Sequence, residues 1–110
     1  MPGFRFYEAA DRRQDEIWKY TKDLWGPAQA ESYIRGLHVI LQQAADKKLT
    51  WKKVSPRQLL KSWPELYFVR YELHFVFFRV LPDGTLGVVS ILHAAMDIPQ
   101  RLLEDLELKS

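Results

Sequence analysis

At Leu66 the hydrophobic period of this chain changes, and that change constrains the fold more than any other feature. Before it, apolar residues recur at spacings of three and four. Ile17, Tyr20, Thr21 and Leu24 form one such stripe. Ala30, Tyr33, Ile34, Leu37, Leu41 and Ala44 form a second. Each places apolar side chains on one face of a helix. After it, Leu66 to Tyr71, Leu73 to Val80 and Leu86 to His93 are rich in aromatic and β-branched residues and read as strands. Pro82-Asp83-Gly84 joins the last two as a hairpin turn, with Gly84 supplying a positive φ.

Local signals punctuate this outline. Phe4 to Tyr7 fits a first strand. Asp11 stands where a helix N-cap belongs, followed by Asp15 and Glu16 in the turns where the dipole favours acids. Trp25-Gly26-Pro27 ends the first helix, with Gly26 in a left-handed C′ conformation and Pro27 opening the next. So short a connection makes the pair an antiparallel hairpin. The second helix is expected from Pro27 to Ala45, with Glu31 and Arg35 as an i,i+4 pair. Ser55-Pro56-Arg57-Gln58 could open a short helix carrying Leu59 and Leu60. Asp97 and Pro99 could start another with Leu102, Leu103 and Leu106 on one side. The expectation is one α+β domain over residues 1–110: an N-terminal strand, a helical hairpin, three antiparallel strands and a short C-terminal tail.

Composition narrows the chemistry. Of 110 residues, 47% are hydrophobic, enough for a core without staples. With no cysteine, disulfides, thiolate metal sites and cysteine nucleophiles are excluded. No apolar run approaches the length of a membrane span. The first residues lack the order of a signal peptide, so a cytoplasmic protein is expected. The net charge is +2, yet Lys47, Lys48, Lys52, Lys53, Arg57 and Lys61 crowd one acid-free segment. Such a segment is either a solvated linker or a surface that attracts phosphate or an acidic protein.

The joints of the chain resemble the ParE branch of the RelE/ParE toxin superfamily. Glu8-Ala9-Ala10-Asp11 leads into the first helix, Ile17 and Tyr20 sit in it, and Trp25-Gly26 closes it. Gln29, Ala30 and Tyr33 follow. His74-Phe75-Val76-Phe77-Phe78-Arg79 is similar to the family's His-to-Arg strand, and Ile91-Leu92-His93-Ala94-Ala95-Met96-Asp97 to its ILHxxMD ending. The connection from Ala45 to Leu66 departs from the family's pattern. The resemblance implies the toxin of a type II toxin–antitoxin pair that inhibits DNA gyrase by binding and is neutralised by a ParD-like antitoxin. The alternative is a RelE-like, ribosome-dependent mRNA endoribonuclease. A third reading is a nucleic-acid-binding or scaffold domain that keeps only the fold.

An mRNA-cutting toxin needs an acid–base group and several cations on one concave face. The candidates are Arg70, His74, Arg79 and His93. Strand alternation puts Arg79 with Leu73, Phe75 and Phe77, and Arg70 with Phe68. It puts His74 with Val76, Phe78 and Val80, and His93 with Val89 and Ile91. The histidines therefore need not converge with the arginines, and no catalytic set is expected. The plainer roles are a structural His93 bonded to backbone or Asp97, a cross-strand His74, and an Arg79 paired with an acid such as Glu72. His38 reads as a flank residue of the second helix. Three scattered histidines make no metal pattern, and no cofactor is implied.

A partner surface is easier to place. Trp18 and Trp25 lie seven apart on the first helix, beyond what one buried stripe needs. They are candidate antitoxin contacts, together with Lys52, Lys53 and Arg57 for an acidic tail. Trp51 and Trp63 either stack on bases or bind a partner, or tuck the long connection onto the sheet. Direct nucleic-acid binding and membrane association are not expected.

Overall fold

A computed structural model describes residues 3–54 and 65–107. Strand β1 (Phe4–Phe6) leads into α1 (Glu8–Trp25) and α2 (Pro27–Ala45). Then come β2 (Lys52–Lys53), β3 (Tyr67–Tyr71), β4 (His74–Val80), β5 (Leu86–His93) and α3 (Ile98–Glu107). The five strands form one sheet in the order β1-β5-β4-β3-β2. β1 runs parallel to β5, and the remaining neighbours are antiparallel. The α+β class and the strand–hairpin–strands order are those expected from the sequence.

The helical hairpin covers one face of the sheet. Ala10, Ile17, Leu37, Leu41 and Ala44 pack there on Val69, Val76, Phe78, Val88 and Ile91. The predicted stripe of α2 is real: Ala30, Leu37, Leu41 and Ala44 are each at most 1% exposed. The stripe of α1 is only partly so. Ile17 is buried, but Tyr20 and Leu24 are exposed. The α1 cap also differs. Tyr7 occupies the N-cap position without a side-chain bond, and Asp11 sits inside the helix, where its charge still meets the dipole. Gly26 has the expected positive φ of 94°, but with an extended ψ of 164° rather than a left-handed one. Its N–H donates to Lys22 O, and its carbonyl accepts from Ala30.

The other face is closed by α3. Leu102 and Leu106, each 1% exposed, pack with Val54, Leu66, Phe77, Val89 and Leu92. The C-terminal tail is thus half of a second core. Two features were not in the sequence outline. The basic segment contributes a fifth strand, β2, paired with β3. A bulge in β5 sets Phe77 opposite Ser90 but Phe78 opposite Val88. Val89 therefore turns to the α3 face while Ile91 keeps to the hairpin face, which corrects the expected grouping of Val89 with Ile91 and His93. Trp51 is tucked in. Its indole Nε1–H donates to Ala44 O at 3.0 Å and its ring meets Phe78. The short helix considered around Leu59 and Leu60, together with Arg57, Lys61 and Trp63, lies outside the described residues.

Candidate functional site

A groove of about 590 Å³ opens between α1 and the His93 end of the sheet. Ile17, Tyr20 and Trp25 form its α1 wall, Leu73 and Met96 the facing rim, and Tyr33, His74 and His93 its floor. The walls are apolar and unusually open. Trp25 is 72% exposed, Tyr20 66% and Leu73 57%. Large apolar side chains exposed together around one groove mark a contact surface.

The floor is built by register. His74 and His93 are direct cross-strand partners on β4 and β5, with rings edge to face at 5.2 Å. Tyr33 on α2 meets His74 Nδ1 through its hydroxyl at 2.7 Å. Tyr71 anchors this corner by donating to Tyr33 O at 2.8 Å. Burial, with His93 alongside, pushes His74 down to about 4, so it is neutral at pH 7. Burial pushes the Tyr33 phenol up to about 12, so it stays protonated. His93 Nδ1 accepts the Ala95 backbone N–H at 2.9 Å. Its bond is thus to backbone and not to Asp97.

The arginines are elsewhere. Arg70 lies on the α3 face over the Phe75 ring, its Nε donating to Glu72 O at 2.9 Å. Arg79 also points to that face and forms no ion pair with Glu72. Glu72 sits in the β3–β4 turn at φ 52°, seven residues and roughly 23 Å of strand from Arg79. The two histidines converge, and the two arginines are on the opposite face.

One cation does stand beside the groove, and sequence spacing could not reveal its partner. Arg13 makes a two-point contact with Asp105 on α3, Nε to Oδ2 and Nη2 to Oδ1, both 3.0 Å. Asp105 is 5% exposed and also accepts from Ser90 Oγ at 2.6 Å. The carboxylate holds the Arg13 guanidinium firmly charged. His38 is a structural joint, bonded to Gln14 and ringed by Phe4 and Phe6, and burial lowers its pKa.

Of the expected partner contacts, Trp25 lines the groove. Trp18 is 37% exposed but stands outside it, under the Lys22 ammonium at 5.1 Å. Lys52 and Lys53 are exposed on the edge strand β2, where Lys53 pairs with Glu65 at 3.3 Å. β2 is two strands from β4 and across from its Phe77 half, so the basic edge and the groove are separate surfaces. Among the described residues no group of three or more His, Asp or Glu could hold a metal ion, and no helix is long and apolar enough to cross a membrane.

Known proteins match the chain over most of its length. The family model described as "ParE toxin of type II toxin-antitoxin system, parDE" matches residues 4–98. The chain is 36% identical over 95 residues to Toxin ParE1 of Mycobacterium tuberculosis, covering 86% of this chain and 91% of that one. It is 33% identical over 91 residues to Toxin ParE of Escherichia coli, covering 83% and 84%. A match from β1 to the start of α3, with both histidines and the groove walls inside it, is decisive: the chain belongs to the ParE toxin family of type II toxin–antitoxin systems.

Proposed function

We propose that this toxin acts by binding DNA gyrase in the cytoplasm, without catalysis, and that a ParD-like antitoxin neutralises it by seating an apolar segment in the groove. The observation that carries this reading is the groove floor. Its two histidines face apolar walls and a protonated tyrosine, while Arg70 and Arg79 are on the other face of the sheet. RNA cleavage needs a base that titrates near neutrality and cations for the phosphate. His74, pushed down to about 4, is a poor base, and Arg13 is committed to Asp105. Exposed aromatic walls instead suit an amphipathic partner helix.

The test has two arms. Supercoiling by purified gyrase is measured with added toxin, and mRNA integrity is followed on programmed ribosomes. The expected result is loss of supercoiling with intact mRNA, relieved by the antitoxin encoded in the neighbouring reading frame. Codon-specific cleavage with undisturbed supercoiling would replace this reading by the ribonuclease one.

A further inference from the structure

The groove floor has a directional polarity. Ala95 N–H can only donate, so its 2.9 Å bond to His93 Nδ1 places the proton of the neutral ring on Nε2. Tyr33 holds its proton, and a phenol O–H is a better donor than a neutral imidazole N–H, while an imidazole nitrogen is the better acceptor. The hydroxyl proton is then directed to His74 Nδ1, which again leaves the ring proton on Nε2. Neither Nε2 has a protein partner among the described residues. Neither is sealed from water, because Arg79 Nε is the one buried, partnerless side-chain nitrogen or oxygen among them. The two rings, 5.2 Å apart, line the same apolar groove.

Resting on the reading of the groove as the antitoxin's seat, we propose that its floor selects a segment carrying one carboxylate, an Asp or Glu, within an otherwise apolar face. The carboxylate accepts from His74 Nε2 and His93 Nε2 together. A cation would meet two donors and no acceptor there. A purely apolar face would strip water from both N–H groups and leave them unpaired. The neighbouring charges permit an anion. The nearest cation, Arg13, is taken up by Asp105 and by Glu16, at 3.4 Å, so the two imidazole N–H groups and not a free positive charge carry the recognition. The Thr21 hydroxyl is turned away to Ile17 O at 2.7 Å.

The probe is isovalerate, an apolar tail on a carboxylate, compared with isoamyl alcohol and isoamylamine. The readout is the imidazole nitrogen resonances of the intact chain at pH 7. Isovalerate is expected to shift His74 and His93 but not His38, and to bind about tenfold more tightly than the alcohol or the amine, as charge-assisted bonds require. His93→Gln, which keeps an N–H donor, should stay within about threefold of wild type, whereas His93→Leu should lose about tenfold. Thermal melts check that both variants are folded. Equal binding of the alcohol, an unchanged affinity in folded His93→Leu, or shifts confined to His38 would each overturn the proposal. The docking reading is separated by Trp25→Arg at the groove wall. If that variant binds antitoxin normally while isovalerate behaves as expected, docking is wrong and the carboxylate site stands. If it blocks antitoxin and isovalerate shows no preference, docking stands and the carboxylate site is wrong.

Discussion

Asp105 shows how much one residue can organise without any local sign in the sequence. It sits 92 residues from Arg13, so no helix or strand periodicity links them. In the fold its carboxylate ties α1, β5 and α3 at one point. Breaking one partner of a buried pair leaves the other charge uncompensated. Asp105→Asn is therefore expected to lower unfolding stability by about 3 kcal/mol, and Ser90→Ala by about 1 kcal/mol, in urea titrations. A loss below half a kcal/mol in Asp105→Asn would show that the pair is dispensable. His74 makes a second prediction at this scale. Its folded pKa of about 4 lies below the ordinary 6.5, so the unfolded chain takes up the proton first as pH falls. The stability this ring contributes is whole above pH 6.5 and is lost as pH falls toward 4. Solvent screening of a half-buried ring reduces the full linkage value to about 1–2 kcal/mol. Melts from pH 7.5 to 4.5 should show wild type losing that much more than His74→Asn. Parallel curves would refute the neutral, buried assignment.

Among the elements, α2 and β3 approach more closely than side chains normally allow. Gly36 faces the Tyr71 ring, and an added Cβ would lie 2.2 Å from the Tyr71 hydroxyl oxygen and 3.0 Å from its ring. Alanine is otherwise the better helix residue by about 1 kcal/mol. Here the clash dominates, because the hydroxyl is held by its bond to Tyr33 O. Gly36→Ala should destabilise by about 1–3 kcal/mol, and adding Tyr71→Phe should recover part of that loss. A double-mutant cycle in urea measures both, and a stabilised Gly36→Ala would show that the ring moves freely. The strands teach a related lesson. The Pro82-Asp83-Gly84 turn was legible because its chemistry is local: Gly84 has φ 88°, and Asp83 Oδ1 accepts from Thr85 N–H at 2.9 Å. The β5 bulge was not, since an extra residue in a ladder depends on which strand lies opposite.

For the whole molecule, the sheet carries a complete core on each face, yet α1 leaves Tyr20, Leu24 and Trp25 in water. Trp25→Ala should therefore change stability by no more than about 0.5 kcal/mol, as for an ordinary surface residue. Its antitoxin affinity should fall by about 2 kcal/mol or more if Trp25 anchors the docked segment. Trp18→Ala, outside the groove, should lose much less. Calorimetric titration of the neighbouring-frame product into the two folded variants checks the contrast. Equal affinities would move the interface off the groove. The basic edge at Lys52 and Lys53 should act separately, slowing association at high salt without altering the groove contacts.

Periodicity, turn chemistry and the ordered family signposts by themselves determined the α+β class, the limits of α2 and β5, the β4–β5 hairpin and the toxin family. Each of these depends on residues close in the chain, or on an ordered set of them. The exposure of α1, the second core under α3, the β2 edge, the Arg13–Asp105–Ser90 tie and the meeting of His74 with His93 and Tyr33 were decided only by the tertiary structure. Those features depend on which faces are covered and which registers align. A helical stripe states that one face is apolar, but what lies beneath that face is set by elements tens of residues away.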